Sequence, residues 1–170
     1  CPLGCAFCCS PEVSGLRWKA MPAERMLDDL AALQERWGFD VVRFYDANFG
    51  VHEKRARAFA DGLLARREKL WHYVFMQADS VVRYAPSTLD AMAASGLYVA
   101  LIGAETGSDS TMAELRKTTR GDTNLDAAQA LARRGVVAQL TYMLGFPGEE
   151  RASMLATIDQ VRRVQVECPL

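Results

Sequence analysis

Ser87-Thr-Leu-Asp-Ala-Met-Ala-Ala-Ser-Gly96-Leu-Tyr98-Val-Ala-Leu-Ile-Gly-Ala104 changes hydrophobic period half-way along, and that change decides the fold. Ser87 is a suitable helix cap, Leu89, Met92 and Ala93 share one helical face, and Gly96 ends the helix. Residues 98–104 then form a short apolar run with no helical gaps, the pattern of a strand buried on both faces. A helix that stops at a glycine and passes straight into a buried strand is half of a βαβ unit.

The same unit extends in both directions. Pro22 opens a helix carrying Met26, Leu27, Leu30, Leu33 and Trp37, stopped by Gly38. Residues 41–49 follow as a strand. Ala56, Phe59, Ala60, Leu63 and Leu64 mark a second helix, and residues 71–78 a second strand. Beyond the third strand, Thr123 or Asn124 caps a helix with Leu125, Ala128, Leu131 and Ala132, ending at Gly135. Residues 136–144 read as a fourth strand, 150–164 as a last helix, and 166–170 as the start of a fifth strand. A strand-plus-helix step every ~30 residues implies a parallel sheet with helices outside it. Two architectures fit, a closed or partly closed α/β barrel and an open doubly wound sheet. In both, function sits at the C-terminal ends of the strands.

Composition narrows the class. Half of the 170 residues are apolar, which suffices for one domain with a real core and excludes disorder. A net charge of −1 gives no broad nucleic-acid or anionic-membrane footprint. No apolar run approaches the ~20 residues that span a bilayer. The sequence begins at Cys1 with neither a starting Met nor a signal peptide, so it is expected to be part of a longer, cytoplasmic protein.

Four of the five cysteines, Cys1, Cys5, Cys8 and Cys9, crowd into the first nine residues, with Cys168 near the other end. A disulfide framework spreads its cysteines; crowding points to metal or redox chemistry. Cys1-Pro-Leu-Gly-Cys5-Ala-Phe-Cys8 is a C-x3-C-x2-C loop. Three thiolates on so short a loop can wrap one inorganic cluster and leave one iron open, whereas an ordinary ferredoxin cluster takes four. The alternative is a structural zinc site with Cys9 or Cys168 as fourth ligand, although no second C-x2-C pair is present.

The loop, with Phe7 just before its last cysteine, resembles the signature of the radical S-adenosylmethionine (SAM) enzymes. Phe44-Tyr-Asp-Ala-Asn-Phe49, Gly103-Ala-Glu-Thr-Gly-Ser108 and Gly145-Phe-Pro-Gly-Glu149 resemble further motifs of that family, in family order, each at a predicted strand end. Together they are similar to the subgroup with cobalamin-dependent members and methylthiotransferases. The resemblance implies a partial (βα)6 TIM-like barrel. Residues 1–170 are then an incomplete radical SAM core domain, lacking the first strand and most of the last. It implies that Cys1, Cys5 and Cys8 hold three irons of a 4Fe-4S cluster. The fourth iron would chelate SAM, whose reductive cleavage yields a 5′-deoxyadenosyl radical acting on an unidentified substrate. Methyl or methylthio transfer is the alternative outcome, with cobalamin held by a segment outside this sequence; a zinc-binding interaction module is the alternative from another class. An electron donor such as a flavodoxin or ferredoxin is implied.

Roles for single residues follow in the same frame. Asp46 and Asn48, two apart on a predicted strand, share a face and are placed near the methionyl amino group; the alternative is a plain strand-to-helix turn. Glu105 ends an apolar strand, so it faces the barrel mouth or has a buried partner. The resemblance sets it against SAM, with Ser108 at the next helix start, where Ser108 or Asp109 also serves as an N-cap. Met143 and Phe146 border the adenine, Phe7 approaches it through its backbone, and Gln77 is a further contact to SAM or substrate. Arg116, Lys117 and Arg120 read as a solvated basic face, with an anionic substrate group as the alternative. His52 and His72 read as surface or turn residues, Cys9 as no ligand, and Cys168 as a small buried residue.

Overall fold

The computed structural model describes residues 1–68 and 70–168. Its centre is a four-stranded parallel sheet in the order β1 (Val41–Arg43), β2 (Trp71–Met76), β3 (Leu97–Glu105) and β4 (Val137–Tyr142). Each strand pairs with its sequence neighbour, as a βα wheel turning one way requires, and the sheet does not close. Helices α1 (Ser10–Ser14) and α2 (Ala23–Trp37) precede the sheet. Helix α3 (Glu53–Arg66) joins β1 to β2, and α4 (Ala78–Arg83) and α5 (Pro86–Ala94) join β2 to β3. Helices α6 (Asp109–Glu114) and α7 (Gly121–Ala132) join β3 to β4, and α8 (Arg151–Glu167) follows.

The core lies on one side of the sheet. Val74, Met76, Ala100 and Ile102 project from the strands into it and meet Ala56, Phe59, Ala60 and Leu63 of α3 and Leu89 and Met92 of α5. Burying each large side chain contributes roughly 1.5–3 kcal/mol. Helix α2 is laid on α3 by Met26, Leu27 and Leu30, and ends where Gly38 turns left-handed. Only the first half of its predicted apolar stripe is covered. Leu33 and Trp37 stay exposed beside Val41 at the sheet edge.

Several boundaries differ from the sequence reading for identifiable reasons. β1 stops at Arg43 because an edge strand has one neighbour, and only Phe44 N–H finds a further acceptor, the Tyr73 carbonyl at 2.9 Å. Residues 49–51 form a 3-10 turn, so Asp46 and Asn48 lie in a loop and not on a strand face. Ser87 sits inside α5, which opens at Pro86. The cap comes from another helix: Glu53 Oε1 accepts from Ala85 N–H and the Thr88 hydroxyl, both at 2.8 Å. Thr123 and Asn124 likewise lie inside α7. Asn124 is fully buried, and its amide donates to Gln160 Oε1 at 3.1 Å and the Ala104 carbonyl at 3.4 Å. Helix α8 runs on through Val166 and Glu167, where a strand was expected; residues 169 and 170 lie outside the described ones. His72 is no surface residue. It is 2 % exposed on β2, edge-on to Phe44 and Phe59, and desolvation lowers its pKa from 6.5 to about 4. No helix among the described residues is long and apolar enough to cross a membrane.

Candidate functional site

Residues 1–8 form a loop whose only regular feature is a tight turn, Cys8 N–H to the Cys5 carbonyl at 3.2 Å. A second bond, Ala6 N–H to the Leu115 carbonyl at 2.9 Å, fastens this loop beside the end of α6, on the C-terminal rim of the sheet. Cys1, Cys5 and Cys8 are free thiols, each half-buried, whereas Cys9 is exposed and begins α1. Burial pushes the Cys5 thiol up; Lys117 opposes this, and Cys8 and Glu105 add to it. Cys5, Cys8, Glu105 and Lys117 therefore share one neighbourhood, although they come from three segments of chain.

Glu105 is the hinge of that neighbourhood. It ends β3 in the left-handed region, φ +64°, where the β3–β4 register shifts. This conformation costs a non-glycine residue roughly 1 kcal/mol, and the surroundings hold it. Lys117 Nζ lies 2.9 Å from Glu105 Oε1 and also donates to the Gly103 carbonyl. The Glu105 carbonyl accepts from Met143 N–H at 2.8 Å. Gly103 leaves room for this pair, because a Cβ there would displace the Glu105 carboxylate. The Lys117 side chain is 4 % exposed, which corrects its reading as part of a solvated face. The chain reverses at Arg116, φ +54°, and carries Lys117 inward while Arg116 and Arg120 stay exposed. Charge runs in a sequence do not show such a reversal.

Next to the cysteine loop is a pocket of about 480 Å³, walled by Pro2 and Leu3 of the loop together with Asn48, Gln77, Ser80 and Thr123. Asn48 is 5 % exposed, and its Oδ1 has no hydrogen-bond partner among the described residues. Asp46 does not line this pocket; it faces Arg55 at 3.7 Å. At another part of the rim, Phe7 and Phe146 approach with ring centroids 6.1 Å apart. Met143 is 37 % exposed nearby in sequence. The turn at 145–148 needs left-handed backbone at Gly145 and Gly148, φ +85° and +81°. Glu149 closes it, its Oε2 accepting from Gly145 N–H at 2.6 Å and Phe146 N–H at 3.2 Å. No role for Glu149 was evident in the sequence, although a carboxylate just after two glycines was the available signal. Ser108 caps α6 by accepting from Thr111 N–H, and its hydroxyl also meets Ser110 and Ser153. It is committed to structure.

The donor set suits an iron–sulfur cluster with one open iron. Three free thiols lie on one loop, with an opposing cation beside one of them. Among the described residues, no group of three or more His, Cys, Asp or Glu side chains is gathered for a single metal ion. For SAM, the orphaned Asn48 Oδ1 beside the loop is an acceptor in want of a donor.

The family profile described as Radical SAM superfamily matches residues 1–161. The chain belongs to the radical SAM superfamily. Among curated proteins it is similar to an uncharacterized methyltransferase of Pyrococcus horikoshii, 25 % identical over 167 residues, covering 98 % of this chain and 36 % of that protein. It is also similar to the bacteriochlorophyllide d C-12(1)-methyltransferase of Chlorobaculum tepidum, 27 % identical, covering all of this chain and 37 % of that protein. The chain thus spans about a third of these relatives' length. Among solved structures, the radical SAM methyltransferase TsrM of Kitasatospora setae, with cobalamin and a [4Fe-4S] cluster bound, matches 97 % of this chain and 31 % of its own. The TM-score is 0.86 and the identity 17 %. The cobalamin-dependent radical enzyme OxsB matches 85 % of this chain and 23 % of its own, with TM-score 0.75 and 19 % identity. Both likenesses establish the radical SAM barrel type of fold.

Proposed function

We propose that residues 1–170 are the cofactor-binding core of a radical SAM enzyme, with Cys1, Cys5 and Cys8 as ligands to three irons of a 4Fe-4S cluster. The observation that carries this reading is the cysteine loop itself: three half-buried free thiols fastened to the strand-end rim beside the Glu105–Lys117 pair. When bound, the reduced cluster and SAM supply a 5′-deoxyadenosyl radical, the hardest part of the chemistry. The chain's own residues orient and shield. With SAM bound, Asn48 Oδ1 would accept from the methionyl amino group, and Gln77 extends the same wall. Glu105, held by Lys117, keeps a carboxylate fixed at the rim for a hydroxyl or ammonium donor. With SAM bound, Phe146 and Met143 would flank the adenine and Phe7 would meet it through its backbone, together keeping water from it. Ser108 acts through the α6 cap. Asp46, turned toward Arg55, is the weakest of these contacts.

Methyl transfer with cobalamin held by a segment outside this sequence is the second reading, supported by the methyltransferases among its relatives. Either way the substrate is unidentified, and the electron donor is of flavodoxin or ferredoxin type in a reducing, cytoplasmic setting. The test is anaerobic reconstitution of the whole protein with iron and sulfide, followed by iron and sulfide analysis, electron paramagnetic resonance and SAM cleavage under reductant. Four irons and four sulfides are expected. Cys1→Ala, Cys5→Ala and Cys8→Ala each lose the cluster signal, while Cys9→Ala keeps most of it. Stoichiometric zinc without iron overturns the reading.

A further inference from the structure

The sheet face opposite the core carries one unbalanced cation. Arg43 is on the β1 edge, in register with Tyr73. Its guanidinium carbon lies 4.4 Å from the Tyr73 ring centroid, 4.9 Å from Tyr45 and 5.3 Å from Phe75. Tyr73 and Phe75 meet edge to face at 5.8 Å, and Tyr45 and Phe75 lie 6.2 Å apart, so the rings form a continuous aromatic wall. Tyr73 is held in turn by donating its hydroxyl to Gln139 Oε1 at 2.9 Å. Among the described residues Arg43 has no ion-pair partner. The other arginines with a short carboxylate contact lie elsewhere, on helices α2, α3 and α8 and, for Arg134, in the turn after α7. Stacking fixes a guanidinium plane but leaves its edge N–H donors free.

We infer that this face is the substrate wall and that Arg43 takes a carboxylate carried on a flat, conjugated body. This deepens the reading above and rests on it for where the substrate's reacting end lies. The planar fork of a guanidinium matches a carboxylate with two parallel hydrogen bonds. Tyr45, 78 % exposed, offers an open ring face to stack a flat ligand. A phosphate dianion would call for a second cation, and the neighbouring described strand residues of this face, Leu101, Gln139 and Thr141, offer none. Phe75 is one residue before the end of β2 and two before Gln77, which walls the pocket beside the cysteine loop. At ~3.3 Å per residue the aromatic wall therefore lies about 7 Å below that pocket. The ligand spans that short gap, with its anionic end low and its reacting end high.

The test is calorimetric titration of the whole protein, without bound cluster, with 2-naphthoate and with 2-naphthalenemethanol, which has the same ring and no charge. Because no cluster is needed, a failed titration and a failed reconstitution are separate results. The carboxylate is expected to bind at least roughly tenfold more tightly than the alcohol. Arg43→Met abolishes the preference, and Arg43→Lys, which keeps charge without the fork, restores part of it. Tyr45→Ala weakens both probes alike. Equal binding of the two probes, no binding of either, or a preference that survives Arg43→Met overturns the inference; thermal unfolding shows whether each variant is folded.

Discussion

The two faces of the sheet follow different rules. On the covered face, Val74, Met76, Ala100 and Ile102 are all within 3 % of complete burial and belong to one apolar cluster. On the open face, the alternate residues Tyr73, Phe75, Leu101 and Gln139 remain partly or wholly exposed; Tyr73 and Phe75 stack on Arg43, and Tyr73 donates to Gln139. The same strands alternate between them with a period of two. Stability is concentrated on one face, and recognition is left to the other and to the rim that joins them.

That division can be broken by mutation. The largest effect is expected from Phe59→Ala, which empties a site 1 % exposed and packed against Phe44, Phe49 and His72. It should cost about 4 kcal/mol in urea unfolding, whereas Phe75→Ala should cost about half as much because its side chain is only partly buried. Equal losses would abolish the distinction.

At the rim, Lys117→Met strands a nearly buried carboxylate and should cost about 3 kcal/mol by the same measurement. Adding Glu105→Gln should recover more than half of that loss. Additive losses would mean that the two side chains do not act as a pair.

The pH dependence comes from the covered face. His72 has a folded-state pKa near 4 against 6.5 when unfolded, so the unfolded chain takes up its proton first as the pH falls. Its stabilising contribution is complete above pH 6.5 and is lost progressively down to about 4, at most roughly 3 kcal/mol. His72→Leu should flatten that part of the pH–stability curve whatever it does to the absolute value. The smallest effect is expected on the open face: Tyr73→Phe removes one exposed hydrogen bond and should cost about 0.5 kcal/mol.

Much of this was legible in the sequence. The βα alternation around Gly38, Gly96 and Gly135 fixed the parallel sheet, because apolar period and helix stops are local properties. The crowding of thiols in the first nine residues and an acid ending an apolar strand at Glu105 were legible because they too are local. What was not legible depended on partners distant in sequence. Ser87 looks like a cap until Glu53 takes the task from another helix. Lys117 looks solvated until Arg116 reverses the chain. His72 alternates with apolar residues on β2, a pattern that marks it as inward only once the covered face is known. The Arg43 wall was missed because its members lie on different strands and share no motif.

The single backbone clasp of the cysteine loop also has a consequence for biosynthesis. Every strand pairs with the strand made just before it, so the sheet can zip up in the order of translation. The clasp between Ala6 and Leu115 breaks that order. Residues 1–8 cannot take up this position until β3 and α6, far later in the chain, have folded. Until then Cys1, Cys5 and Cys8 lack the seat that the clasp gives them, and a pause in translation just before α6 prolongs that exposure.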